Sequence, residues 1–485
     1  MMRSRLWLYC LILGIPVIAF AVAAGIQAHF NSKLQTALKQ RYPNADQKAV
    51  SIFSIDRLCK DPSPAFRKIC ATTANLNLVK YGSIGAGAIA VALLIVMRLA
   101  GVIARNNRKL LLYLFKPGLY VTITILIVLI MVYTALAISA IYFGESILIG
   151  RIHINIIVLI GIGAVIGVFV LVKNTFSVIK KAQTTVIGTA ISRQDAPKLW
   201  GLLDQLSEKI GSLKPQNIVV GLDPNFFVTE ADVLCLSGNL SGRTLYCSLP
   251  LSRILSTDEF SAVIGHELGH FRGLDTQYSE RFYPIYRGTA SSIASLQEAG
   301  RGGVESLALL PAAAILSYFY ECLSIAESRI SRARELAADE VGASVSSAAS
   351  FSSALVKVHA FSGFWTGLQE AAAQALRKGK VFVNASKTYA DAVVNSANRE
   401  ALSGIAETHT SHPTDTHPPL ATRLKALKTS LEEVSDLALN VSPADSAIHL
   451  MESPELKEEQ ISAAYQMILA QRLGIDLDDA NKDTD

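Results

Sequence analysis

The sequence predicts an α-helical membrane region followed by an α+β domain made of one small sheet and several helices. Three observations lead there. The chain of 485 residues is 51% hydrophobic and only 18% charged, unusually apolar for a soluble protein. The apolar excess is concentrated in four stretches before residue 181. Beyond that point the composition turns globular, and short strand-like runs give way to helical periodicity.

The four stretches are residues 6–26, 83–104, 119–143 and 154–172. Residues 6–26 carry no charge and follow Arg3 and Arg5. This apolar run exceeds the ~7–15 residues of a cleaved signal peptide, which favours a retained span. Residues 119–143 and 154–172 are also uncharged, whereas Arg98 interrupts 83–104 near one end. There its guanidinium can snorkel to the interface. Each stretch approaches or reaches the ~20 residues a helix needs to cross a bilayer, so four transmembrane helices are expected.

Orientation follows from the basic flanks. With the N-terminus inside, Arg3, Arg5, the loop at 105–116 and Lys173, Lys180 and Lys181 all face the cytoplasm, as the positive-inside tendency requires. Residues 29–80 would then lie outside, although they hold nine Lys/Arg against three Asp. Cys59 and Cys70 fall in this loop, where an oxidising compartment could bridge them; the alternative is two free thiols. Cys235, Cys247 and Cys322 show no C-x-x-C spacing and read as buried apolar fillers.

After the membrane region, Asp195, Ala196 and Pro197 mark a helix start. Leu199, Leu202, Leu203, Leu206 and Ile210 then recur on one face. Residues 217–222, 232–238 and 243–249 read as strands, with the sequence GNLSG (238–242) suggesting a hairpin between the last two. Ser256 to Glu259 has the capping-box pattern and opens a helix containing GHELGH (265–270). Helices dominate afterwards, apart from a polar Pro/His-rich loop at 407–419. The last residues form an acidic, solvated tail.

On a helix, His266 and His270 are four residues apart and project from one face, where they can share a metal. Glu267 lies about a third of a turn round, close enough to a metal-held water to act on it without occupying the metal. The plain alternative is two histidines on an ordinary amphipathic helix, and a third ligand decides between them. In SRARELAADE (331–340), Glu335 and Asp339 are one helical turn apart. Glu335 could complete a His₂Glu zinc site, while Asp339 could accept the free ring N–H of a ligand histidine. Alone, such a pair would be a solvated helix face.

The order HELGH (266–270), SRARELAAD (331–339) and THPPLATR (416–423) resembles the gluzincin membrane peptidases that include HtpX and the CAAX prenyl endopeptidases. The resemblance covers roughly residues 195–430. It implies an α+β zincin-like metallopeptidase domain with one Zn²⁺ per chain, held by His266, His270 and Glu335. It further implies Glu267 as general base and Asp339 as the group that steadies a ligand histidine. His417 would sit near the open metal position, with Arg423 nearby. An imidazole or guanidinium there would stabilise the charge of a tetrahedral intermediate. Against this, His417 could be a surface-loop histidine like His409 and His412, the latter also preceding a proline.

Unlike those relatives, all four clear spans here precede the HExxH element, which argues against a prenylated substrate. Residues 307–325 are apolar but interrupted by Pro311 and Glu321. Because His270 and Glu335 must meet at one metal, the number of crossings between them is even. A core helix or one lying against the membrane surface is preferred to a hairpin.

The expected organisation is a membrane region at 1–181, a zinc metallopeptidase domain at 182–440 and a helical then acidic tail at 441–485. The expected activity is endopeptidase hydrolysis of membrane-associated proteins, in quality control or processing. Peptide substrates fit because zincins add an extended substrate to a sheet edge; residues 232–237 are the candidate edge, unless they are an ordinary paired strand. The expected setting is an integral protein of a bacterial inner membrane, with its catalytic domain in the cytoplasm. With a net charge of only +5 and no basic–aromatic groove, nucleic acid is not expected as a partner. A non-catalytic scaffold is disfavoured by intact Glu267. A transporter is disfavoured because no span carries a central Asp or Glu.

Overall fold

The computed structural model describes residues 2–44, 50, 53–60, 64–177, 183–272, 286, 289–298, 309–403 and 417–475. The chain divides into two compact units, Met1–Lys180 with Ile285–Ala326 and Lys181–Pro284 with Glu327–Asp485.

The first unit contains α1 (Met2–Arg41), α2 (Arg67–Ala104), α3 (Arg108–Gly144) and α4 (Ile154–Ser177). Among the described residues, four helical segments are long and apolar enough to cross a membrane: Trp7–Arg41, Arg67–Ala104, Arg108–Ile149 and Ile154–Lys173. These match the four expected spans. Several polar side chains within them bond to backbone carbonyls, of their own helix or of a neighbour, as an apolar solvent demands. The Ser83 hydroxyl donates to the Val79 carbonyl at 2.8 Å and Thr134 to that of Ile130 at 2.7 Å. Tyr133, almost fully buried, donates across to the Ile12 carbonyl at 2.9 Å.

At 40 residues, α1 is about 60 Å long, twice the ~30 Å of a hydrocarbon core. Its polar end is tied down locally. Gln27 Nε2 donates to Asn77 Oδ1 on α2, and the Ile55 N–H donates to Asn31 Oδ1, both at 2.8 Å. Cys59 and Cys70 form a disulfide at this end, so the alternative of two free thiols does not hold. Cys235 and Cys247 are buried, as expected of fillers, while Cys322 is half-buried.

The apolar segment near 307–325 forms the start of α8 (Leu310–Val345) and is not among the four candidate spans. Phe319 packs on Phe115 of α3 with ring centroids 5.5 Å apart. A Cβ on Gly101 of α2 would come within 3.2 Å of the Cys322 carbonyl oxygen. The segment thus lies against the ends of α2 and α3 that flank the basic loop at 105–116.

The second unit begins with β1 (Gln183–Thr185), β2 (Gly188–Ala190) and α5 (Pro197–Ile210), followed by β3 (Asn217–Gly221) and β4 (Phe227–Thr229). Next come β5 (Asp232–Cys235), β6 (Gly238–Leu240), β7 (Thr244–Ser248), α6 (Leu249–Ile254) and α7 (Thr257–Arg272). After α8 follow α9 (Ala348–Leu376), α10 (Ala385–Ser396), α11 (Leu420–Ala426), α12 (Leu431–Leu439) and α13 (Pro454–Leu473).

The described residues form two small sheets, ordered β2-β3-β7-β4 and β1-β5-β6. The central pair β3 and β7 is parallel, with antiparallel β2 and β4 outside. All five residues of β7 are buried, which suits a strand covered on both faces. The stretch at 238–242 is not the turn of a hairpin between 232–238 and 243–249, because Gly238–Leu240 is itself a strand paired with β5. β5 alternates in burial and β7 does not, so they belong to different sheets.

The predicted face of α5 is realised: Leu199, Leu203, Leu206 and Ile210 join the main core. The capping box at α7 is also realised. The Ser256 N–H donates to Glu259 Oε2 at 2.8 Å, and the Glu259 N–H donates to Ser256 Oγ at 3.2 Å. Glu259 is fully buried and has a second duty. Its carboxylate also accepts from Ser353 and from Lys357 Nζ, the latter at 2.7 Å. Lys357, equally buried, places its other protons on the carbonyls of Ile254 and Asn440. All three ammonium protons are thereby used, as burial of a cation requires.

α7 and α8 cross at glycine. A Cβ on Gly265 would lie 2.6 Å from Val345 Cγ2, and one on Gly342 would lie 2.7 Å from the Ala262 carbonyl oxygen. Only glycine at both positions lets the two helices approach this closely.

Candidate metal centre

The crossing of α7 and α8 places the HELGH face opposite Glu335 and Asp339. His266, His270 and Glu335 each offer one ligand atom, and these atoms lie within 4.8 Å of one another. His266 Nε2 is 3.7 Å from Glu335 Oε2, and His270 Nε2 is 3.6 Å from Glu335 Oε1. Ligands at ~2.1 Å in a tetrahedral site would be about 3.4 Å apart, so the trio fits a small divalent cation with little adjustment. The two imidazoles stand nearly perpendicular, at 86°, with centroids 4.9 Å apart.

The surroundings hold the donors in place. His266 Nδ1 lies 2.9 Å from Asp339 Oδ1, approached obliquely rather than along the N–H bond. That leaves Nε2 to point at the trio. On its other side His266 stacks on Phe351, centroid to centroid 5.5 Å. Asp339 has no exposed surface. It accepts from Arg423 Nε at 2.8 Å and also from Nη2, a bidentate pairing. His417 Nδ1 lies 2.9 Å from Glu335 Oε2. Sequence-distant segments, α8 and the start of α11, thus converge on the HELGH helix.

Electrostatics separate the carboxylates. Burial raises Glu267, and the nearby histidines and Arg423 offset this only partly. Burial also works to raise Glu335, but the His417 hydrogen bond and the charges of His266, His417 and His270 hold it down at about 2. Asp339 too is lowered against its burial, chiefly by the hydrogen bonds from Arg423 and by the close approach of the His266 ring. His417 is raised by its hydrogen bond to Glu335. Two anions stay charged, while the buried Glu267 has an elevated proton affinity.

A cleft of about 600 Å³ opens beside the trio. It is lined on one side by Val263, Phe351 and Leu355, and on another by Phe227, Val228 and Thr229 of β4. The expectation that residues 232–237 offer the substrate edge is corrected here. β5 is paired on both sides, by β1 and β6, whereas β4 is the last strand of its sheet.

Every site residue predicted from the sequence lines or adjoins this place: His266, Glu267, His270, Glu335, Asp339, His417 and Arg423. His409 and His412 lie outside the described residues. Sequence reasoning missed Phe351, β4 and two further cleft residues, Glu327 and His359. None stands in a motif. Only the helical periodicity of 327, 331 and 335 hinted that Glu327 shares the face of Glu335.

Paired histidines and a carboxylate on crossed helices, with a buried glutamate and a cleft alongside, define a metallopeptidase. Comparison with known proteins places it more closely. The profile of peptidase family M48 matches residues 235–431. The chain is 30% identical to a protease HtpX homolog of Pyrobaculum aerophilum over 264 residues, 51% of this chain and 71% of that one. It is 27% identical to the Archaeoglobus fulgidus homolog over 253 residues, 50% and 70% of the respective chains. It is also 27% identical to that of Gemmatimonas aurantiaca, over 49% and 77%. No solved structure matches. The chain belongs to peptidase family M48 and is a membrane protease.

Proposed function

We propose that the chain is a zinc-dependent endopeptidase acting on membrane-associated proteins, in quality control or processing. The single observation that carries this is the trio of His266, His270 and Glu335, with His266 and Glu335 buried, beside Glu267 in an open cleft. Two imidazoles and one carboxylate suit zinc better than harder cations that prefer all-oxygen cages. The chemistry a bound zinc supplies is Lewis acidity, polarising a carbonyl and making water nucleophilic near neutral pH.

The chain's own residues do the rest. Glu267 takes the proton from the attacking water and passes it to the departing amine. Its raised proton affinity brings it nearer to working pH, which suits a base that must later act as acid. Asp339 holds the His266 ring, and Arg423 holds Asp339. His417 donates from Nδ1 to Glu335, which raises its proton affinity, and as the imidazolium it also carries a proton on Nε2 to donate to the developing oxyanion. β4 offers unpaired backbone groups to an extended substrate.

The disulfide between Cys59 and Cys70 and the basic flanks of the spans support an oxidising compartment for residues 29–80 and a catalytic domain in the cytoplasm; a bacterial inner membrane is the setting we propose. The expected substrates are exposed loops or tails of membrane proteins, because tethering raises the effective concentration towards neighbours in the same bilayer.

The test is metal content and turnover together. Glu267→Gln keeps one zinc per chain and loses peptide hydrolysis, while His266→Ala, His270→Ala and Glu335→Ala each lose metal. Wild-type hydrolysis by Glu267→Gln would overturn the scheme. Proteomics of membranes holding wild type or Glu267→Gln then identifies the chains that accumulate uncut.

A further inference from the structure

Glu327 is a buried carboxylate in the catalytic cleft that none of the roles above uses. It is 8% exposed and lines the same cleft as the metal-ligand trio. Among the described residues it accepts no hydrogen bond and joins no ion pair. Burial raises its proton affinity, and Arg334, Arg332 and His417 counter this only through space. A carboxylate held this way is costly unless a partner arrives. Among the described residues the elements around it supply no hydrogen bond or ion pair, only the through-space charges of Arg334, Arg332 and His417, which leaves a direct partner to what enters the cleft.

We propose that Glu327 is a specificity-determining residue that selects a basic side chain, lysine or arginine, two or three residues from the scissile bond. This rests on the reading of the cleft as a protease site. Glu327, Ser331 and Glu335 occupy one face of α8 on successive turns. Eight residues of helix put Glu327 about 12 Å from Glu335 along the axis. An extended peptide rises ~3.4 Å per residue, so three residues from the reacting carbonyl cover most of that distance. A long basic side chain covers the remainder. The opposite polarity is disfavoured. Arg334 lines the cleft as well, but it already has an interaction partner, whereas Glu327 accepts no hydrogen bond from the described residues.

The experiment uses the full chain, zinc-loaded and reconstituted in neutral liposomes. Peptides identical except for lysine, norleucine or glutamate are placed at each position from three before to three after the cut bond. Wild type should favour lysine over norleucine by about ten- to a hundredfold in kcat/KM at one position, the scale for a charged hydrogen bond. Glu327→Gln should bring that ratio near one, and Glu327→Lys should invert it towards glutamate, a gain that misfolding cannot imitate. A flat or acidic wild-type profile, or a lysine preference that survives in Glu327→Gln, overturns the proposal. The same peptides are titrated into Glu267→Gln by fluorescence anisotropy. Lysine-dependent binding without wild-type cleavage would sink the hydrolysis reading and leave this one standing. Cleavage without charge dependence would do the reverse.

Discussion

Replacing Arg423 by glutamine tests whether the metal centre depends on a group that never touches the metal. In the structure Asp339 is wholly buried, takes two hydrogen bonds from Arg423 and sits 2.9 Å from His266 Nδ1. Glutamine can replace at most one of those donors and none of the charge. Breaking a buried pair on one side costs about 3–5 kcal/mol, to be read as a lower melting temperature of the metal-free chain. Loss of a group that orients a ligand histidine lowers metal affinity by about 10–100-fold, measured by competition with a zinc chelator. The pH dependence has a defined sign. Asp339 is depressed in the folded chain against its burial. Its contribution is therefore present above the ordinary carboxylate value and disappears as pH falls through the lowered folded value. Without Arg423 burial prevails, the folded value rises, and the loss moves to higher pH. The gap between the affinities of wild type and Arg423→Gln should widen as pH falls. A folded Arg423→Gln chain with wild-type metal affinity at every pH would refute the reasoning.

Other expectations are as direct. His417→Ala should keep zinc and lower kcat by about 10²–10³, the scale for one oxyanion donor, while His409→Ala and His412→Ala leave turnover unaltered; damage from His412→Ala instead would misplace the HPPxxxR element. Lys357→Met strands the Glu259 carboxylate and should destabilise the chain by about 3–5 kcal/mol, seen as a lower melting temperature, with part of it recovered when Glu259→Gln is added. Gly342→Ala forces a Cβ to 2.7 Å from the Ala262 carbonyl oxygen and should cost about 1–3 kcal/mol as overpacking, with a parallel fall in metal affinity. Cys59 and Cys70 should react with a membrane-impermeant thiol reagent only after reduction, and from the side opposite the catalytic domain; labelling of cysteines introduced near residue 440 by the same reagent would reverse the orientation.

Much of this molecule was legible because its signals are local. A run of uncharged residues announces a span whatever surrounds it, and Ser256 with Glu259 announces the start of α7. The spacing of His266 and His270 fixes their shared face before any tertiary contact forms. Glu335 and Asp339 were legible only in combination with that pair, since one turn of acidic residues is ordinary on a solvated helix. What stayed hidden depends on pairing across distance. The strands near 232 and 244 looked like hairpin partners because they are neighbours in sequence, yet β7 finds β3, which lies on the far side of β4, β5 and β6. Glu259 reads as a capping residue, and nothing nearby reveals that Lys357 shares its carboxylate. Phe351 sits in an unremarkable helical run; its role appears only when His266 is stacked on it.

The glycine crossing of α7 and α8 acts as a fulcrum, and the metal ligands sit at very different distances from it. His266 is the residue next to Gly265, so it barely moves when the helices tilt against one another. Glu335 is seven residues from Gly342, a lever arm of about 10 Å. A tilt of only about 3° swings Glu335 through about 0.5 Å, the tolerance within which a catalytic constellation has to be held. Angular error at the crossing thus falls almost wholly on the carboxylate and spares the nearer imidazole. A crossing loosened at glycine should first lose its grip on the cation through Glu335, leaving a two-histidine site of lower affinity in a chain whose core is otherwise intact.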